Sequence, residues 1–254
     1  MPEKPCLLIL GGTGDAAALA KACAHDFPHL RTISSLAGRT HRPALLAGET
    51  HIGGFGGAPG LETFLRQNAV HLVVDATHPF AAQMSRHAAL ACDRLGIARL
   101  QFTRPAWNAA RGDRWLEVRD MTAAATQVAS VFAANDARVF LSTGRQQLAA
   151  FEQLRNTWFL IRTVERLDSP VPLTHYEALI GRGPFSVDQE RALLEQHRID
   201  VLVSKNSGGD ATYAKILAAR SLSLPVIMLR RPAPPPGPAV DTLGDAIAWL
   251  QSHL

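Results

Sequence analysis

The sequence predicts an α/β protein in which a parallel, doubly wound sheet occurs twice, and three observations predict it. Short continuous apolar runs alternate with helix-length segments, the pattern of strands that crossover helices bury on both faces. The order of motifs in the first half returns in the second at an offset of roughly 130 residues, as a duplication would produce. The first strand also runs straight into a glycine-rich turn that opens a helix, as in nucleotide-binding sheets of this class.

The elements follow in chain order. Residues 6–10 read as a buried strand and 16–24 as a helix; strands at 32–36, 72–74 and 98–102 alternate with helices at 61–68 and 81–95. In the second half, the strand at 138–141 enters Ser142-Thr143-Gly144 as the first enters Gly12-Thr13-Gly14, and an Ala/Leu-rich helical stretch is expected after each. The segment 178–185 answers 51–57, and 201–206 answers 72–77. Both halves then lead through a strand into Arg-Pro, at Arg104-Pro105 and Arg231-Pro232. The expected organisation is a nucleotide-binding, Rossmann-like domain over 1–107 and a second Rossmann-like domain over 108–254, with a ligand cleft between them. The second is expected to include an extended proline-rich connector at 232–238 and a terminal amphipathic helix at 241–253.

Composition removes several function classes. With 254 residues, 47% hydrophobic and 19% charged, the chain is of globular and not disordered type. The net charge of +4 is scattered, without the Lys/Arg block that tracks a phosphate backbone, so nucleic acid is not an expected partner. Cys6, Cys23 and Cys92 form no CxxC pair and no metal-ligand spacing, so buried thiols in a reducing compartment are expected and no metal. No apolar run approaches the length of a membrane span, and a cytoplasmic protein is the expectation. A nucleophile elbow, an HExxH helix and a paired-carboxylate arrangement are all absent from the sequence, which leaves hydrolase readings without support.

The chemistry concentrates at strand ends. Gly12, Gly14 and Ala17 fit G-x-G-x-x-A, where glycine lets the backbone approach a pyrophosphate and the helix opening near Asp15 aims free N–H groups at it. Thr13 belongs to the same turn; Asp15 caps a helix well, yet its charge repels a neighbouring phosphate. NAD enzymes place a carboxylate at the end of the second strand; here stand Ser34, Ser35 and, further on, Arg39, which suits the 2′-phosphate of NADP(H). Gly54, Phe55 and Gly56 lie in a glycine cluster that permits close approach to a flat or phosphorylated ligand, or forms a plain surface turn. Asp75 and Thr77 follow a buried strand and are read as ligand-orienting, with His78 as proton donor, ligand contact or structural histidine. In the second half, Lys205, Ser207, Gly208 and Lys215 occupy the duplicated position, and Arg145, Arg182 and Ser186 add cations and a hydroxyl suited to carboxylates or phosphate.

Taken in order, Leu10-Gly-Gly-Thr-Gly-Asp15, Ser35-Leu-Ala-Gly-Arg-Thr40, Gly53-Gly-Phe-Gly-Gly57, Asp75-Ala-Thr-His-Pro-Phe-Ala81, Arg182-Gly-Pro-Phe-Ser186 and Ser204-Lys-Asn-Ser-Gly-Gly209, followed by Thr212 and Lys215, resemble the precorrin-6A reductase family of cobalamin biosynthesis. The resemblance runs from Leu7 to Pro232. It implies NADPH-dependent reduction of one double bond of a ring-contracted tetrapyrrole to precorrin-6B, with nucleotide and macrocycle between two domains. A substrate rich in carboxylates gives the cations Arg145, Arg182, Lys205 and Lys215 a role. Lys205 and His78 are the candidate catalytic proton donors. Two other readings stay open: a non-catalytic NADP(H)-binding sensor or scaffold, and the same reduction on a cobalt-containing macrocycle. The sequence does not fix the oligomeric state.

Overall fold

The structure is a computed structural model describing residues 4–38, 46–132, 136–167 and 170–254. It contains two six-stranded sheets in which every strand pair is parallel. Chain order begins with β1 (Cys6–Leu10), α1 (Gly14–Asp26), β2 (Arg31–Leu36), β3 (Glu49–Ile52), α2 (Gly57–Gln67), β4 (Leu72–Asp75), α3 (Ala82–Leu95) and β5 (Ala98–Phe102). There follow β6 (Arg114–Val118), α4 (Met121–Val131), β7 (Arg138–Leu141), β8 (Trp158–Thr163), β9 (His175–Ile180), α5 (Val187–Gln196), β10 (Val201–Lys205), α6 (Ala214–Ser221), β11 (Pro225–Leu229), β12 (Ala239–Val240) and α7 (Leu243–His253).

Read from one edge, the first sheet runs β3-β2-β1-β4-β5-β12 and the second β9-β8-β7-β10-β11-β6. Both follow the 3-2-1-4-5-6 order of a Rossmann-like sheet, which reverses direction beside its first strand and so opens a ligand crevice at the strand carboxyl ends. Burial explains the central strands. β1 is CLLIL with all five residues buried. Its Leu7 and Ile9 join Leu19, Ala20 and Cys23 of α1 on one face, while Cys6, Leu8 and Leu10 meet Leu61, Leu65, Ala88 and Cys92 from α2 and α3 on the other. A strand covered on both faces has no use for polar alternation.

The two compact units are residues to Pro105 together with Pro232–Leu254, and Ala106–Arg231. This corrects the expected division at 107/108: the proline-rich connector and the terminal helix belong to the first unit. β12 pairs with β5, Ala246 and Leu250 of α7 share a core with Leu19 and Ala20, and buried Arg99 donates to the Pro236 carbonyl at 2.7 Å. The physical reason lies in the topology. β6 and α4, which follow the fifth strand of the first sheet, supply the sixth strand and helix of the second, so the first sheet must take its sixth pair from the chain terminus. A second correction concerns the stretch after β7, where an α-helix was expected and the chain makes one short 3-10 turn, Leu148–Phe151.

Candidate functional site

In the first unit, the turn after β1 is built around backbone and one hydroxyl. Gly11 N–H donates to the Ser35 carbonyl at 2.9 Å, and Gly12 takes φ +101°, which favours glycine. Thr13 caps α1: its hydroxyl accepts from Ala16 N–H at 3.1 Å and donates to the Ala76 carbonyl at 2.7 Å. That second bond ties the turn after β1 to the turn after β4. Among the described residues, no heavy atom beyond the turn itself would lie within 4 Å of a Cβ at Gly12 or Gly14, which leaves room before the positive end of α1. Asp15, the charge that seemed to oppose a phosphate, is paired: Arg104 Nη1 donates to its Oδ2 at 2.6 Å.

A second open stretch follows β3. Gly53 and Gly56 take φ +126° and +76°, and Cβ positions at Gly53, Gly54 and Gly56 are equally clear. Phe55 is not a free ligand platform. Its ring stacks on His51 at 4.9 Å and meets Phe64 edge-on at 5.0 Å, so it anchors the loop to the core. The Phe55 carbonyl passes so close to Gly60 that a Cβ there would lie 1.6 Å from the oxygen. Gly60 is thus a steric requirement of the loop that the sequence reading missed; a glycine inside a helical stretch is the signal for it.

Several predicted contacts turn out to be internal. Ser34 and Ser35 are 1% and 7% exposed, because β2 lies between β1 and β3 and both of its faces are covered over 32–36. Asp75 is 2% exposed, and its Oδ1 accepts from the Thr77 amide at 3.1 Å and the Thr77 hydroxyl at 2.7 Å. Those bonds close the turn after β4; Thr77 is half-buried, and the buried Asp75 Oδ2 has no hydrogen-bond partner among the described residues. His78 Nδ1 accepts from Phe80 N–H at 3.2 Å, which places the proton of a neutral ring on Nε2. Arg39 lies outside the described residues.

In the second unit, Lys205 ends β10 half-buried and its ammonium donates to the Thr143 carbonyl at 3.1 Å, which steers it across the turn after β7. The following loop is held rigidly. Asn206 accepts from Trp107 N–H at 2.8 Å and donates to the Trp107 carbonyl at 2.9 Å, while Trp107 Nε1 donates to Gly209. Arg231 donates to the carbonyls of Asn206 and Ser207. Ser207 is buried, and Gly208 and Gly209 take φ +68° and +65° to complete the turn. Arg145 and Arg182 are exposed. Arg182 sits on a compact turn whose Gly181 would place a Cβ 3.1 Å from the Phe185 ring.

Two residues of this half have structural partners of their own. Ser186 is the N-cap of α5, accepting from Gln189 N–H at 3.1 Å while the Gln189 side chain answers its own amide. Lys215 is 6% exposed, donating to the Thr212 carbonyl at 2.8 Å with its ammonium 5.3 Å from the Trp107 ring centroid. Burial pushes its pKa down to about 8, the Glu190 charge working against that shift and Arg162 with it. An enclosed amine supports the loop from beneath and does not reach a ligand at the surface.

The glycine turns thus fit a dinucleotide: a cradle at a helix N-terminus that is open among the described residues, and an Asp15 neutralised by Arg104. Among the described residues there is no helix long and apolar enough to cross a membrane and no group of three metal-ligating side chains.

Comparison with known proteins adds a family. The model described as precorrin-6x reductase CbiJ/CobK matches residues 6–251. A precorrin-6A reductase of Rhodococcus erythropolis is 49% identical over 245 residues, 96% of each chain. A cobalt-precorrin-6A reductase of Priestia megaterium is 28% identical over 259 residues, covering 96% of this chain and 97% of that one. Among solved structures, CobK precorrin-6A reductase superposes with a TM-score of 0.89 at 43% identity, covering 98% of this chain and 97% of the other.

Proposed function

Since the chain belongs to the precorrin-6x reductase family, we propose that it reduces one double bond of precorrin-6A to give precorrin-6B in cobalamin biosynthesis, taking the hydride from NADPH. The observation that carries the nucleotide half is the open glycine cradle before α1 in a 3-2-1-4-5-6 sheet. The identity of 49% to a precorrin-6A reductase, against 28% to a cobalt-precorrin-6A reductase, supports the metal-free substrate over the cobalt-loaded one. An enzyme of this family is favoured over a sensor because the second unit presents cations at strand ends that a nucleotide sensor would not need.

When bound, the nicotinamide supplies the hydride. The rest is the work of this chain's residues. Gly12 and Gly14 leave room for a pyrophosphate at the first turn of α1, where the Gly14 and Asp15 amides face it, and Thr13 caps Ala16 N–H and fixes that turn against Ala76. No carboxylate stands between Leu36 and Gly38, where an NAD enzyme would hold ribose hydroxyls, and Arg39 is next in sequence. The preference for NADPH therefore rests on Arg39. Lys205, Arg145 and Arg182 take substrate carboxylates. Lys205 and His78 Nε2–H are the candidate donors to polarise a macrocycle nitrogen and so make the conjugated carbon more electrophilic.

Steady-state reduction of precorrin-6A with NADPH and NADH tests this directly. NADPH is expected to give the higher kcat/KM, with Arg39→Ala narrowing the gap roughly ten- to a hundredfold, the scale of a charge-assisted contact. Equal use of the two nucleotides would overturn the assignment.

A further inference from the structure

The tie between Trp107 and the loop after β10 is built more fully than packing requires. Trp107 lies between β5 and β6, in neither helix nor strand, yet it is buried and shares a core with Leu202, Ile216 and Met228. All its polar groups turn to one segment. Its amide donates to Asn206 Oδ1 at 2.8 Å, its carbonyl accepts from Asn206 Nδ2 at 2.9 Å, and its indole N–H donates to the Gly209 carbonyl at 2.8 Å. A core needs the ring alone; the three bonds fix the loop.

That loop needs an outside tie. Gly208 and Gly209 stand side by side at φ +68° and +65°, and two glycines in succession give a chain its widest choice of conformations. The Trp107 bonds fall at Asn206, before the pair, and at Gly209, within it. At the far end the ring meets Tyr213 at 5.4 Å, and the Tyr213 hydroxyl accepts from Arg220, which donates to both oxygens of Asp113 at 2.8 and 3.0 Å. The Lys215 ammonium lies 5.3 Å from the ring centroid.

Lys205 immediately precedes the first clamped residue. β7 and β11 flank its strand, its ammonium donates to the Thr143 carbonyl at 3.1 Å, and Asn206 N–H donates to the Leu229 carbonyl at 3.0 Å. The chain is therefore fixed on both sides of Lys205, by the sheet before it and by Trp107 after it. A cation already in place binds a carboxylate more tightly than one that must be ordered together with its loop.

The geometry points to Trp107 as a positioning residue for the macrocycle: its indole N–H and its Asn206 clamp hold the 206–209 loop, and with it Lys205, in the arrangement that receives a substrate carboxylate. This rests on the reading above that Lys205 takes that carboxylate. Trp107 acts through the loop and not on the ring of the substrate.

Calorimetric binding of precorrin-6A to Trp107→Phe, Trp107→His, Lys205→Ala and the double variant of Trp107→Phe with Lys205→Ala tests it, with NADPH affinity and thermal unfolding measured alongside. Trp107→Phe keeps an aromatic ring and loses the indole N–H; it is expected to weaken macrocycle binding roughly three- to tenfold, the loss of one hydrogen bond, with NADPH affinity unchanged. Histidine fills less of the core but carries Nε2–H at the place of the indole N–H. Trp107→His therefore binds the macrocycle more tightly than Trp107→Phe, even where it unfolds at a lower temperature. In the Lys205→Ala chain, Trp107→Phe adds little further loss, since the cation it holds in place is gone. Losses that multiply in the double variant, or histidine binding worse than phenylalanine, assign Trp107 to packing alone and overturn the proposal. Normal binding by Trp107→Phe overturns it too, while a loss in Lys205→Ala leaves the reading of Lys205 standing. Normal binding by Lys205→Ala removes that reading, and the proposal with it.

Discussion

Arg104 reaches back from the end of β5 to place a guanidinium nitrogen 2.6 Å from the Asp15 carboxylate in the first turn of α1. The pair resolves a conflict in the sequence, where an acidic residue stands beside a phosphate-binding turn. Asp15 favours the helix through its N-terminal position, and Arg104 cancels the charge that would repel a ligand phosphate. The two are part-buried, so the compensation is less screened than at an open surface.

Arg104→Ala is expected to weaken NADPH binding about tenfold by leaving Asp15 uncompensated. Asp15→Asn in the same chain should recover most of that loss. A fluorescence titration of the single and double variants checks it, and additive effects would show that Arg104 does not act through Asp15.

Gly14→Val separates the cradle from the fold. The Gly14 Cβ position is free of protein atoms, so the variant should unfold at a temperature close to that of the unaltered protein while losing NADPH affinity by at least tenfold. Retained affinity would place the phosphates elsewhere, with Gly53, Gly54 and Gly56 as the next open stretch.

The buried strand CLLIL and the glycine turn after it were legible because each follows from local pattern, whereas β6 at 114–118 and β8 at 158–163 were not read as strands. The reach of the chain was not legible either. Nothing local in 232–254 says that Pro236 will be held by Arg99, more than 130 positions away, or that α7 will pack on α1. Site residues divide the same way. Gly12 and Gly14 shape the turn after β1 through backbone and Thr13 through its hydroxyl, and the local pattern shows that turn. Ser34, Ser35, Asp75 and Lys215 are polar residues near strand ends whose burial is decided by neighbouring strands and helices, which the sequence does not display. The Asn206 clamp on Trp107 joins residues 99 positions apart, and its only trace in sequence is an asparagine directly after the site lysine.

Lys215 gives the unit a pH signature. In water its pKa would be 10.5; in the fold burial lowers it to about 8. Below pH 8 both folded and unfolded chains carry the proton, and the fold bears the full cost of an enclosed cation. Between about 8 and 10.5 the unfolded chain binds the proton and the folded chain does not, so this residue's contribution to stability rises with pH and levels off above that window. Lys215→Met should therefore be more stable at pH 7 by a margin that narrows by about 3 kcal/mol through the window, less whatever the lost Thr212 bond costs. Denaturant unfolding at pH 7, 8.5 and 10 measures it; a constant margin would show that Lys215 keeps one protonation state.

We propose a division of labour in which the first unit holds the nucleotide and the second the macrocycle. Lys205 tests it most directly, since its ammonium is fixed by Thr143 within the second unit and belongs to none of the glycine turns of the first. Calorimetric titration of Lys205→Ala with NADPH and, separately, with precorrin-6A is the measurement. The account predicts unchanged NADPH affinity and macrocycle binding weakened about ten- to a hundredfold, the loss of one charge-assisted contact. Weakened NADPH binding with normal macrocycle binding would contradict it and move Lys205 to the nucleotide.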